Sequence, residues 1–433
     1  MAQQVTTHAV SGAGTRSKVM VAAVAWVVAA TFYFYQYVMR SAPAVMMPQL
    51  SDAFGLSALG VASIVGVFYY GYSFFSPVAG AAMDRLGPKL LLPIAAAVFS
   101  LGALLFATGS PAAAGVGRFL QGAAGAFAAV GALYIASNYF HPSKAATMTG
   151  ATQMFGMAGG AAGQFAVGPM IGGGLAWDSF WMGMGVVALL MGVLLLFLLP
   201  KEEKTGRPDN WLKASAVAFK VVFKNPQSIL CGLIAGLIFI PTTIFDMIWG
   251  VRYLQEAHGF DYGTAVMRSA TVPLGWIIGC PLLGFLSDRL GRRKPVIVGG
   301  ALVLLCCLAW ILYGPAGVLP PYVLGLVAGM GSGAAMLPYT VIKEANPPQY
   351  GGTATGVINF LNFTFSALLG PAFAGVLMRA SGGAARLELG DFQTAFAPML
   401  YGVALAILLA LLLKETGPAV RTAPSAVSEE VSE

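Results

Sequence analysis

The chain is dominated by apolar runs of about 20 residues that are separated by short polar segments. Runs of this length predict helices that cross a bilayer, since a helix needs about 20 apolar residues to span its hydrocarbon core. Twelve such segments are predicted, at about 19–48, 57–83, 88–109, 111–140, 145–173, 178–199, 227–255, 262–286, 294–314, 319–343, 351–379 and 392–413. The pattern therefore predicts an all-α membrane protein with twelve transmembrane helices.

One long polar interruption divides these helices into two groups of six. It carries most of the lysines found between helices, and its second part has the spacing of a short amphipathic helix around Trp211 to Phe223. No removable signal peptide is expected at the start. The predicted organisation is a cytoplasmic N-terminus at 1–18, a six-helix bundle at 19–199, a cytoplasmic linker at 200–227, a six-helix bundle at 228–413 and a disordered cytoplasmic tail at 414–433.

Composition supports the membrane assignment, and the charges predict an orientation. Hydrophobic residues make up 58% of the 433 residues and charged residues 9%, whereas a soluble domain has about 25% charged residues. All lysines lie in the termini or in the connections that follow even-numbered helices, so the positive-inside rule places both termini in the cytoplasm of an inner membrane. Topology explains the net charge of +7, so a nucleic-acid partner is not expected. The lipid bilayer is the predicted surrounding, and the chain is predicted to be a monomer.

The two groups of six helices repeat one another. The segment DRLG occurs at Asp84 and again at Asp288, 204 residues later (288 − 84). Gly55 and Gly259, each in the first outer loop of its group, have the same separation (259 − 55 = 204). The matched register predicts two pseudo-symmetric six-helix bundles.

Several motifs resemble those of a known family. The stretches GAAMDRLGPK, beginning at Gly80, and GFLSDRLGRR, beginning at Gly284, are similar to the loop signature of the major facilitator superfamily. Arg118 matches the arginine of its fourth-helix pattern R-x-x-Q-G, and GPMIGG at Gly168 is similar to a signature associated with antiporters. The resemblance implies a secondary transporter with the major facilitator fold. The residues to which it assigns roles in gating are Gly80, Asp84, Arg85, Gly87, Arg118, Gly284, Asp288, Arg289 and Gly291.

Physical chemistry also predicts a role for the two aspartates, Asp84 and Asp288, independently of the family resemblance. A carboxylate is stabilised at a helix N-terminus, where unpaired N–H groups and the helix dipole favour negative charge. Asp84 is predicted to meet the start of the eleventh helix near residues 351–353, and Asp288 the start of the fifth near residues 143–144. Such contacts would close the cytoplasmic side. The alternative is that DRLG forms only a tight charged turn.

A single arginine interrupts the first apolar segment. Arg40 in YQYVMRSAPAVMMPQL must meet a counter-charge or a polar cavity, because a charge at mid-bilayer costs about 2.5–3.5 kcal/mol.

The stretch around Arg40 and the stretch FYYGYSFFSPVAGAAMDRLG resemble the proteobacterial intraphagosomal amino-acid transporter family. A wider resemblance is to the organophosphate:phosphate antiporters, whose basic residues in helices 7 and 2 are replaced here by Thr243 and Ser76. A phosphate ester is therefore disfavoured.

The seventh apolar segment contains an acid. The repeat places Asp246 close to the depth of Arg40, on the other side of the interface between the bundles. One cation facing one anion suits a zwitterion, with Arg40 binding its carboxylate and Asp246 its ammonium or a coupling proton. The alternative for Asp246 is a structural pair with Arg268. The full set of predicted substrate-binding residues is Arg40, Tyr37, Tyr70, Gln121, Gln153, Thr243, Asp246, Asn359 and Asn362.

The sequence contains no motif of an enzyme, a nucleotide site or a metal centre, so neither catalysis nor a cofactor is predicted. The four cysteines fall in helices and are interpreted as reduced packing residues. The predicted function is secondary transport of a small polar metabolite, an amino acid or another carboxylate-bearing solute, by proton-coupled symport. The alternatives are an exchanger of organic anions or phosphate, a drug-efflux antiporter and, from another class, a membrane nutrient sensor.

Overall fold

The computed structural model describes residues 12–56, 58–201, 211–315, 322–382, 384 and 386–421. The first eleven residues, the first part of the predicted linker and the last part of the predicted tail lie outside the described residues. The second part of the linker forms a helix at Trp211–Lys224, where the sequence predicts one.

Twelve long helices among the described residues, besides the linker helix, confirm the predicted all-α architecture. The first six are α1 (Gly12–Ser41), α2 (Ala58–Leu86), α3 (Pro88–Phe106), α4 (Pro111–Asn138), α5 (Ala145–Phe165) and α6 (Trp177–Leu198). The second six are α7 (Pro226–Glu256), α8 (Gly263–Leu290), α9 (Lys294–Tyr313), α10 (Val323–Glu344), α11 (Gly351–Ala380) and α12 (Leu389–Leu412). Ten helices among the described residues are long and apolar enough to cross a membrane.

The two halves meet along two seams, in which α2 packs against α11 and α5 packs against α8. The motif glycines allow this close approach. A Cβ at Gly80 would lie 2.3 Å from the carbonyl oxygen of Gly352, and one at Gly284 would lie 2.6 Å from that of Ala146. The repeated glycine thus marks the same backbone contact in each seam.

Each seam ends in a carboxylate at a helix N-terminus. Asp84 accepts hydrogen bonds from the backbone N–H groups of Gly352 (2.8 Å) and Thr353 (2.7 Å), which are the positions that the sequence predicts. Asp288 accepts from the backbone N–H of Thr147 at 2.9 Å and from its hydroxyl at 2.7 Å. This contact lies about one turn beyond the predicted position, because residues 142–144 form a 3-10 turn and α5 begins only at Ala145. Both contacts lie at the linker end, the end of the bundle at which α2 finishes and α11 begins.

The other loop-motif residues shape these turns. Gly87 and Gly291 have φ angles of 73° and 63°, a left-handed region that favours glycine, so they allow the chain to turn directly after the helix. Arg85 is half-buried and Arg289 is exposed.

The start of the predicted disordered tail is ordered, which corrects that prediction for residues 414–421. Glu415 accepts hydrogen bonds from the backbone N–H groups of Arg293 (2.6 Å) and Lys294 (3.2 Å), at the N-terminus of α9. Thr416 donates to Glu344 at 2.7 Å. Polar composition alone suggested a solvated tail, but a carboxylate at this position is stabilised by the helix it caps.

Asp84→Asn is expected to open the linker end, because it removes the charge from a helix-dipole contact that contributes about 1 kcal/mol. A shift of that size changes the open fraction about fivefold. A cysteine introduced at the buried Ser76, in protein that lacks its native cysteines, should then react faster with a water-soluble maleimide. Asp52→Asn, at an exposed carboxylate, is the matched control. Equal labelling rates in the two variants would contradict the role of Asp84 in closure.

Candidate functional site

The side chain of Arg40, at the end of α1, is buried where the two halves meet. Its guanidinium carbon lies 4.8 Å from the ring centroid of Tyr37, 5.9 Å from that of Phe68 and 4.9 Å from that of Tyr69. The ring centroid of Phe363, which belongs to α11 in the other half, lies 5.0 Å from the same guanidinium carbon. Aromatic faces attract a cation, so they hold the arginine without neutralising it.

Arg40 has unused hydrogen-bonding capacity. One Nη donates to the hydroxyl of Tyr69 at 3.2 Å, while Nε and the other Nη are buried without a partner. Within the part of the chain that the structure describes, no carboxylate lies within ion-pair distance of it. A buried guanidinium in this state is complementary to a carboxylate, which accepts two parallel hydrogen bonds from it.

Polar side chains of the first half extend the site. Tyr33 donates to the side-chain oxygen of Gln153 at 2.9 Å, and the amide nitrogen of Gln153 donates to the hydroxyl of Tyr37 at 3.3 Å. The structure thus brings the predicted residues Tyr37 and Gln153 together. Tyr33 was not predicted, although its spacing of four residues from Tyr37 places both on one helix face.

The second half contributes a matching polar group around Tyr339 of α10. Its hydroxyl donates to the side-chain oxygen of Asn359 at 2.6 Å and accepts from the amide nitrogen of Asn362 at 3.1 Å. The remaining amide atoms, Nδ2 of Asn359 and Oδ1 of Asn362, are buried without partners. Phe363, which contacts Arg40, directly follows Asn362 in α11, so these amides lie beside the Arg40 cluster. Sequence analysis missed Tyr339, since nothing in its local pattern distinguishes it from a packing residue.

Two predicted binding residues have structural partners instead. Gln121 accepts a hydrogen bond at 2.8 Å from Arg118, which also donates to the carbonyl oxygens of Met39 (3.1 Å) and Val65 (3.3 Å). Arg118 therefore ties α4 to α1 and α2. Thr243 lies 3.2 Å from the hydroxyl of Ser366 and joins α7 to α11.

Tyr70 does not belong to the cluster. Its side chain is 50% exposed, in a stripe with Phe74 and Val78, whereas Tyr72 is fully buried. Neighbouring residues point about 100° apart on a helix. Of the three tyrosines in this part of α2, therefore, only Tyr69 and Tyr72 face the interior. These two tyrosines replace Tyr70 in the site.

Asp246 also lies elsewhere than predicted. It is buried within the second half, where Oδ1 accepts a hydrogen bond from Ser269 at 3.0 Å and Oδ2 has no partner. The segment Pro241–Gly250 is a π-helix, so its side chains are rotated away from the positions that a regular helix would give. The alternative pairing also fails, because no ion pair joins Asp246 to Arg268 among the described residues.

Metal binding finds no support in the described residues, which hold no group of three His, Cys, Asp or Glu side chains placed to bind an ion. The four cysteines are free, and three of them are buried.

Comparison with known proteins relates this chain to a family of transporters. The profile described as the Major Facilitator Superfamily matches residues 29–371. A hexuronate transporter from Bacillus subtilis (strain 168) is 27% identical over 367 residues, which cover 80% of this chain and 85% of that protein. A cis,cis-muconate transport protein from Acinetobacter baylyi is 26% identical over 83% of this chain and 88% of its own length.

A solved structure shares the fold. The proton:xylose symporter XylE, bound to 6-bromo-6-deoxy-D-glucose, has a TM-score of 0.71 with this chain. The match covers 92% of this chain and 97% of the other at 14% identity, so it supports the fold alone.

Arg40 and Arg118 should respond in opposite ways when each is replaced by methionine. Arg40→Met removes a buried cation that lacks a carboxylate. Its free energy of unfolding should therefore rise by about 1–4 kcal/mol, and unfolding should occur at a higher temperature. Arg118→Met leaves two carbonyl oxygens and Gln121 without their donor and should shift unfolding to lower temperature by a comparable amount. Thermal unfolding of the purified protein, followed by tryptophan fluorescence, measures both. Destabilisation by Arg40→Met would identify Arg40 as a structural residue.

Proposed function

The chain belongs to the Major Facilitator Superfamily, and we propose that it transports a small carboxylate-bearing solute by alternating access, coupled to protons. Members of the family are secondary transporters of small solutes and are not enzymes. The observation that carries the proposal is the buried guanidinium of Arg40, with two nitrogens unpartnered at the interface between the halves.

The chemistry around Arg40 favours a carboxylate over the other predicted solutes. Arg40 contacts the hydroxyl of Tyr69 and several aromatic rings, and Asp246 is not among its contacts, so a substrate ammonium would find no counter-charge in the cluster. A phosphate would lack the additional basic residues, since Thr243 pairs with Ser366 and Ser76 donates to the backbone of Tyr72. The names of the hexuronate and muconate relatives describe carboxylates, which supports the same class.

The proposed substrate-binding set is revised accordingly. Tyr70, Gln121, Thr243 and Asp246 leave the set, and Tyr33, Tyr69, Tyr72 and Tyr339 join it because they contact Arg40, its aromatic neighbours or the predicted amides. The residues proposed to bind substrate are Arg40, Tyr33, Tyr37, Tyr69, Tyr72, Gln153, Tyr339, Asn359 and Asn362.

Alternating access is assigned to the two seams. The contacts of Asp84 and Asp288 hold the linker end closed, and they must break when the carrier opens at that end. Gly80, Gly284, Gly87 and Gly291 support them by allowing close packing and the tight turns. The distribution of lysines assigns the linker end to the cytoplasm of an inner membrane.

Asp246 is the proposed coupling residue. It is a buried acid with an oxygen that has no hydrogen-bond partner, and it can therefore take up a proton inside the bundle. It lies in α7, which packs against α11, the helix that carries Phe363 of the Arg40 cluster. Protonation of Asp246 and binding at Arg40 can thus act on the same helix pair, as linkage between two ligands requires.

Arg40→Lys should lose most substrate uptake although the charge is kept, because lysine cannot form the planar two-pronged contact. A loss of at least about tenfold, or about 1.4 kcal/mol, is expected for carboxylate transport into proteoliposomes. Arg252→Lys, at a half-exposed arginine paired with Glu256, is the control and should transport normally. Uptake by Arg40→Lys at the wild-type rate would show that the arginine is not a substrate ligand. Binding without uptake by the wild type would instead favour a nutrient sensor.

Asp246→Asn should abolish accumulation driven by a proton gradient while sparing exchange of substrate between the two sides. The amide keeps the size and the contact with Ser269 but cannot be protonated. The two activities are measured in the same vesicles, with and without an imposed pH gradient. If Asp246→Asn still concentrates substrate on a proton gradient alone, the coupling site lies at another residue.

A further inference from the structure

The second half contains a cavity of about 150 Å³ that is separate from the Arg40 cluster. It is lined by α7, α8, α9 and α10 and by the loop between α7 and α8, toward the end opposite the linker. Its polar and aromatic lining includes Asp246, His258, Phe260, Arg268, Ser269 and Ser332. Neither Arg40 nor any of its aromatic neighbours lines this space.

Three buried polar atoms in this lining have no hydrogen-bond partner: Oδ2 of Asp246, Nε of Arg268 and Oγ of Ser332. The side chains of Asp246 and Ser332 are 7% and 0% exposed, so bulk water does not satisfy them at the surface. An unpaired polar group in such a place costs about 1–3 kcal/mol. Their convergence on one cavity indicates an occupant that both donates and accepts hydrogen bonds.

Two ionisable side chains in the cavity, Arg268 and Asp246, have no ion-pair partner among the described residues. The guanidinium of Arg268 lies 3.6 Å from the ring centroid of Phe260 and has no carboxylate within ion-pair distance among the described residues. The carboxylate of Asp246 is bonded only to Ser269. His258 adds no second cation near neutral pH, because burial and the neighbouring Arg268 lower the pKa of its imidazole. The cavity therefore presents a guanidinium and a carboxyl group that are not paired with each other.

We propose that this cavity is a second binding site, selective for a small zwitterionic amino acid whose carboxylate meets Arg268 and whose ammonium meets Asp246. Ser332 offers a further hydrogen bond, and apolar side chains such as Val272 and Leu308 surround the carbon chain. A cavity of this size holds a molecule comparable to benzene, which limits the ligand to a short chain. The site lies within one half rather than between the two, and Asp246, the proposed coupling residue, is the one residue that it shares with the proposed transport function.

The test is calorimetric binding to the purified protein. Glycine, β-alanine and γ-aminobutyrate place the two charges at increasing separations, so the tightest of the three reports the gap between Arg268 and Asp246. Propionate and ethylamine each carry only one of the charges. We expect at least one zwitterion to bind at least tenfold more tightly than either single-charge compound.

Variants locate the binding. Arg268→Gln and Asp246→Asn should each weaken zwitterion binding at least tenfold, and Arg268→Lys should retain part of it, which keeps the test valid if Arg268→Gln misfolds. Arg252→Gln, near the same end of α7, and Arg40→Met, in the transport site, should leave it unchanged. Loss of binding in Arg40→Met with retention in Arg268→Gln would overturn the proposal. So would propionate binding as tightly as the zwitterions, or no binding by any of the three, in which case the cavity holds water only.

Discussion

The structure depends on how a nearly uncharged bundle accommodates its few buried charges. Arg118 and Arg40 lie in the same half and both contact the ring of Phe68, yet their surroundings differ. The backbone carbonyls of Met39 and Val65 and the amide of Gln121 satisfy Arg118, which makes it a structural tie. Arg40 has only the hydroxyl of Tyr69 and several aromatic faces. Because an uncompensated buried charge is expensive, Arg40, with Nε and one Nη unpaired, is the arginine expected to have a ligand.

The same rule explains how the halves are joined. No ion pair between the halves appears among the described residues; instead, Asp84 and Asp288 each face the start of a helix in the other half. A helix N-terminus carries only a partial charge, so each contact contributes about 1 kcal/mol and can break during a transport cycle. In the seam between α5 and α8, Arg293 bridges Asp288 and Glu344. Glu415 caps the N-terminus of α9, which begins directly after Arg293. The two seams are therefore alike in geometry and unequal in their surrounding charges.

Much of this could be predicted from the sequence, and the failures have physical causes. The helices follow from long apolar runs, and the contact of Asp84 follows from a motif repeated at a fixed separation. The sequence could not orient single side chains: Tyr69 and Tyr70 are adjacent, but only Tyr69 reaches Arg40. Asp246 was misplaced because the repeat assumes regular helices and α7 contains a π-helical segment. The tail was misjudged because Glu415 looks like a solvated carboxylate until the N-terminus of α9 is placed beside it.

The seam between α2 and α11 connects the proposed site to the closed end. Tyr72 of α2 and Phe363 of α11 have ring centroids 4.4 Å apart, and Ser73 lies 2.7 Å from the hydroxyl of Thr364. Farther along the same two helices, Asp84 caps the start of α11. A carboxylate bound to Arg40, as proposed, would lie beside the aromatic rings around it, including Phe363. Since Tyr69, Phe363 and the Asp84 contact are carried by the same two helices, a shift of α11 relative to α2 at the site would also strain the cap at the linker end. This helix pair is therefore the proposed link between substrate binding and opening.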